Sequence, residues 1–143
     1  SNEFKPLLRE LHGKTPVQIF LCDWFRGITA DVQKEIFEDA GDHAGEMETA
    51  LGLAFFNDFV LKNDDGSIVA DDGAVNATRF DAINNGWASI TRAWHLLTTN
   101  TGSGNPHPAT AEKGERLMQV IVDRLSTFLV ELAASPIDEQ FPF

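Results

Sequence analysis

The sequence has a single cysteine, Cys22, which excludes an internal disulfide framework. Cys22 lies in an apolar run, so a buried, inert thiol is expected. Cations are scarce: 11 Lys and Arg stand against 22 Asp and Glu, a formal net charge of −11. Holding a phosphate backbone needs clustered cations, so nucleic acid is not an expected partner, and neither is an anionic membrane surface. No apolar stretch approaches the ~20 residues needed to span a bilayer. The opening residues Ser1 to Lys5 do not have the layout of a signal peptide, and a cytoplasmic setting is expected. Four scattered histidines offer no metal-ligand spacing, so no metal-binding residue is assigned. What is present is a globular composition, 43% apolar and 23% charged over 143 residues, suited to one domain with a real core.

Read along the chain, the pattern is α/β. Phe4, Leu7, Leu8 and Leu11 have helical spacing, with Asn2 as a candidate cap and Gly13 as a stop. Pro16 to Phe25 is short, apolar and nearly continuous, which predicts a strand buried on both faces. Ile28, Val32, Ile36, Phe37 and Ala40 predict a second helix, with Thr29 as its cap. Asp42 to Gly45 is a polar turn, and Glu46 to Asp58 is helical again. Lys62 to Val75 reads as a hairpin or loop around Ser67-Ile68-Val69, and Thr98 to Pro108 as a polar loop. Trp87 and Trp94 suggest that the stretch between packs against the body. Ala109 to Ala134 is the clearest helix, capped by Thr110 with Glu112 near its positive end.

Three places could carry chemistry. Asp42, His43, Glu46 and Glu48 put three carboxylates and an imidazole at a turn–helix junction. A carboxylate beside an imidazole fixes one tautomer and raises its basicity, and such a pair can pass a proton to a departing nitrogen. The same residues also read as a helix start, with Asp42 as the cap and Glu46 complementing the dipole. Asp23 and Trp24 end the expected strand, where α/β folds border a ligand crevice and an indole could wall a pocket; a core tryptophan fits as well. Gly102 to Gly104 precedes a helix and could take a phosphate, although the Walker pattern is lacking. Arg79 and Arg92 are suited to a carboxylate clamp or to salt bridges.

The run His43-Ala44-Gly45-Glu46-Met47-Glu48-Thr49 resembles the His-Ala/Gly-Gly-x-x-Glu-Thr motif of the creatininase (creatinine amidohydrolase) family. Asn2-Glu3-Phe4 is similar to the end of its Asn-Gly-His-x-x-Asn motif, Asp23-Trp24-Phe25 matches in place, and Ala109 to Gly114 resembles its Ala-x-x-Glu-Lys-Gly opening to a last helix. The resemblance implies an α/β/α sandwich, a two-metal centre of Zn or Mn, hydrolysis of a cyclic or linear amide, and assembly as homo-oligomers, commonly hexamers. It also implies that His43 exchanges a proton at the scissile amide, that Asp42 positions substrate or water, that Glu48 supports His43, and that Asp23, Trp24 and Glu46 face the substrate. The family's metal ligands come from its N-terminal half and its Asn-Gly-His motif, so this sequence is expected to supply the C-terminal half and the proton-handling side, and to be inactive alone unless a second chain completes the site. The alternative is a non-catalytic binding or oligomerisation module derived from that fold.

Overall fold

The computed structural model describes residues 4–15 and 17–143; the expected cap Asn2 and the expected strand start Pro16 lie outside the described residues. In chain order the elements are α1 (Phe4–Leu11), a π-type turn (Trp24–Ile28), α2 (Gln33–Ile36), α3 (Glu46–Phe55), a 3-10 turn (Asn57–Phe59), α4 (Asp81–Asn84), α5 (Trp94–Leu97) and α6 (Ala111–Ala134). Pairing between extended segments is limited, among the described residues, to isolated antiparallel bridges: His43 with Ser103, Lys62 with Ile68, and Val75 with Thr98. The chain divides into two compact units, Ser1–Asp31 with Ile121–Phe143, and Val32–Val120.

In the first unit, α1 ends as its sequence predicts. His12 N–H donates to Leu8 O at 3.1 Å and Lys14 N–H to Leu11 O at 3.0 Å. Gly13 sits at φ 75°, a left-handed turn that costs glycine little. The strand expected after it does not form. Val17 to Asp23 joins no ladder, and Val17 and Phe20 are 63% and 44% exposed. A strand buried on both faces needs neighbours to supply backbone partners and apolar cover, and the described residues supply no adjacent strand. Phe20 instead meets Phe128 and Phe141 edge-on, with ring centroids 5.5 and 6.3 Å away. Cys22 is exposed for the same reason, not buried as its apolar setting suggested.

Thr29 also departs from expectation. It does not cap a helix; its hydroxyl donates to Trp24 O at 2.8 Å and Phe25 O at 3.3 Å, closing the π-type turn while fully buried. The helix expected over 28–40 is thereby confined to the four residues of α2. Arg124 secures the turn's end, donating to Ile28 O and, bidentately, to Asp31 at 2.6 and 2.9 Å.

The second unit holds most of the buried apolar residues: Ile36, Phe37, Met47, Ala50, Ala109 and Leu117. Met47 and Leu117 have no exposed surface, and full burial of such side chains contributes about 1.5–3 kcal/mol each. Gly114 lets α6 pass close to α3: a Cβ there would lie 2.2 Å from Ala50 O. The α6 start is as predicted, with Lys113 N–H donating to Thr110 Oγ1 at 3.3 Å. The Glu112 carboxyl is held below its ordinary pKa by a backbone hydrogen bond at its own position and by the Thr110 hydroxyl. Lys62 to Ile68 forms the expected hairpin, with Asn63 N–H donating to Ser67 O at 2.9 Å.

Candidate functional site

The turn before α3 is built by close backbone approach. Asp42 N–H donates to Ser103 O at 3.2 Å, and Ser103 N–H donates to His43 O at 2.8 Å. Three glycines allow this: a Cβ on Gly104 would sit 2.7 Å from the Gly45 Cα, and one on Gly41 would sit 3.0 Å from that same atom. The 102–104 loop therefore spends its polar backbone on this turn and its neighbours. Gly102 N–H goes to Asn100 Oδ1, and Gly104 O accepts from Gly73 N–H. This use of the loop argues against the phosphate cradle suggested by its sequence, because an anion site needs free N–H groups.

Within the turn, Ala44 takes the left-handed conformation, φ 51°. For a residue with a Cβ this costs about 1–2 kcal/mol. Glu48, in the first turn of α3, reaches back so that its Oε2 accepts from Ala44 N–H at 2.8 Å. The same Oε2 lies 3.5 Å from His43 Nδ1. His43 and Glu48 thus form an imidazole–carboxylate contact, with side chains 53% and 43% exposed and open to a ligand. Asp42 is exposed beside them, and it is not the helix cap, since Gly45 holds that position.

Glu46 is placed differently. It is fully buried, its Oε2 accepts from Glu38 N–H at 2.8 Å and Asp39 N–H at 3.1 Å, and its Oε1 pairs with Lys113 Nζ. Lys113 Nζ also donates to Pro108 O at 2.9 Å. Both ends of this carboxylate are occupied, so it ties the 38–39 backbone and the α3 start to the α6 start. A substrate could reach it only by displacing those partners.

Trp94 was not singled out for chemistry by sequence. Its ring meets His43 edge-on, centroids 5.3 Å apart at 85°, and its Nε1–H donates to Thr101 O at 2.8 Å. Nothing local in the sequence signals this, because α5 reaches His43 only through the tertiary fold. Trp24 and Asp23 belong to the first unit. Asp23 Oδ1 accepts from Arg26 N–H at 2.9 Å, capping the π-type turn, and Trp24 lines a shallow depression with Phe4, Leu21, Cys22 and Phe25. Arg92 donates to Asn76 O at 3.2 Å, and Arg79 is exposed.

The family model described as creatininase, creatinine amidohydrolase, matches residues 2–129. The chain belongs to the creatininase family. A solved structure, that of a "Putative creatinine amidohydrolase" from Bacteroides fragilis, superposes with TM-score 0.79 at 33% identity over 95% of this chain. That neighbour has a creatininase fold, and this creatininase-family chain spans 51% of its length. No curated protein matches. Two residues of the Ala109 to Gly114 segment have a physical reason in the structure: Lys113 pairs with Glu46, and Gly114 admits Ala50. Among the described residues, no three His, Cys, Asp or Glu side chains converge as a metal site, so the described groups do not by themselves fit a two-metal centre. Among the same residues, no helix is long and apolar enough to cross a membrane.

Proposed function

We propose that the chain supplies the proton-handling side of a site that hydrolyses a cyclic or linear amide C–N bond. The observation that carries this reading is the His43–Glu48 contact at 3.5 Å, held on a strained turn and open to solvent. Glu48 faces Nδ1, which favours the proton there and leaves Nε2 to the substrate. As water adds to the carbonyl carbon, Nε2 takes the water proton; as the C–N bond breaks, it returns a proton to the departing nitrogen. Asp42 orients the water or the substrate. Glu46, held by Lys113, positions the turn in place of touching substrate. Asp23 and Trp24 take the substrate-facing role on resemblance alone.

Family members generally use a metal, and zinc or manganese would supply an activated water and a polarised carbonyl. Its ligands would come from groups outside the described residues. The finer reading of the fold, an α/β/α sandwich in one domain, likewise has Val17 to Cys22 paired as a strand by chain from outside this sequence. A homo-oligomer is the arrangement proposed. The exposed apolar run Val17, Ile19, Phe20 and Leu21 also favours the second reading, a non-catalytic oligomerisation module.

The test is hydrolysis of a panel of lactams and linear amides by the purified chain, with and without added Zn²⁺ or Mn²⁺, beside a His43→Ala variant. Turnover that falls about 10²–10⁴-fold in the variant supports the acid–base role. No turnover with either metal, together with no stoichiometric metal in the purified protein, leaves the oligomerisation reading in its place.

A further inference from the structure

Trp94 is held at both ends and free in the middle. Its carbonyl accepts from Thr98 N–H at 3.0 Å and from Thr98 Oγ1 at 3.0 Å, closing α5 behind it. Its Nε1–H is fixed on Thr101 O, and Thr101 is itself held at φ 76°, a left-handed conformation unusual for a β-branched residue. Asn100 braces that loop: its Oδ1 accepts from Gly102 N–H, and its Nδ2 donates to Asp71 O at 3.3 Å and Asp72 O at 3.0 Å. A tryptophan used only to fill a core would be covered, yet Trp94 is 41% exposed. What the indole does touch is the His43 ring, at 5.3 Å and nearly perpendicular.

We infer that Trp94 is the positioning residue of His43: the anchored indole fixes the imidazole plane so that Nδ1 stays toward Glu48 and Nε2 points outward. This rests on the proposed proton-handling role. An exposed imidazole has two side-chain torsions and would otherwise rotate away from a carboxylate 3.5 Å distant. Glu48 supplies the charge that favours one tautomer, and the indole supplies the orientation that lets the charge act. Backbone strain at Ala44, next to His43 in the chain, and at Thr101, whose carbonyl accepts from the indole, fits a site whose geometry is maintained against local preference.

The test reads the tautomer directly. In ¹⁵N-labelled full chain above the imidazole titration range, the His43 nitrogen shifts are expected to show the Nδ1–H form. Trp94→Phe keeps a ring edge and loses the Thr101 anchor, and should give a partial mixture. Trp94→Leu loses both and should bring the two nitrogen shifts toward those of an unrestrained imidazole. Where Trp94→Leu does not fold, Trp94→Phe decides. Wild-type nitrogen shifts in a folded Trp94 variant overturn the inference. If the wild type hydrolyses amides, kcat should fall about ten- to a hundredfold in Trp94→Leu with KM little changed, as expected for lost alignment. Absence of turnover in the wild type with added Zn²⁺ or Mn²⁺, together with no stoichiometric metal, overturns the hydrolase reading and leaves the tautomer result standing.

Discussion

At the scale of single residues, the site depends on one strained position. Ala44 holds φ 51° while its N–H donates to Glu48. Ala44→Gly removes the Cβ penalty, and thermal unfolding should show a gain of about 1 kcal/mol. The same change frees the turn, so any amide hydrolysis should weaken. An Ala44→Gly protein less stable than wild type would show that the methyl group packs usefully. The residues of this turn were legible in the sequence because they are contiguous: three carboxylates and an imidazole within one short segment stay together in any fold that starts a helix at Glu46. Their division of labour was not legible. Glu46 and Glu48 are two positions apart on a helix and face different ways, so one is buried against Lys113 and the other remains with His43. Trp94 was illegible because only the tertiary path of the chain brings α5 to the imidazole.

At the scale of elements, α3 and α6 are joined by a charge and by a missing side chain. Lys113→Met leaves the buried Glu46 carboxylate with its backbone donors and no cation. Removing one partner of a buried pair costs about 3–5 kcal/mol, and denaturant unfolding should show a loss of that order. Gly114→Ala places a methyl 2.2 Å from Ala50 O; overpacking of this kind costs about 1–3 kcal/mol. The start of α6 also carries a pH signature. The folded-state pKa of Glu112 is depressed, so its contribution is present above the ordinary carboxylate range and is lost as pH falls through and below it. Glu112→Gln should flatten the acid limb of the stability profile, and an unchanged limb would remove that assignment. α6 could be read from sequence because its cap, charge and apolar stripe are all local. The strand expected over 16–25 could not, since a strand is completed by partners elsewhere. Thr29 misled for a related reason: a hydroxyl before a helical pattern reads as a cap, and here it turns back to Trp24 O.

At the scale of the whole molecule, the fold class was legible only as far as the family. The α/β rhythm came from apolar periodicity, whereas the described residues form helices, turns and three isolated bridges. The discrepancy lies where pairing is non-local, in a chain that spans 51% of its structural neighbour. A measurable consequence concerns Val17 to Cys22. Its backbone amides should exchange with solvent fast in the isolated chain and become protected if a companion strand or second copy docks there. The contact between Trp94 and His43 has an optical consequence for the molecule. With no tyrosine and three tryptophans, its emission comes from indole alone when it is excited at wavelengths beyond the absorption of phenylalanine. A protonated imidazole quenches an indole it touches, so in a Trp24→Phe, Trp87→Phe background the remaining fluorescence should dim as His43 gains its proton. The chain then carries its own reporter of the charge on that ring.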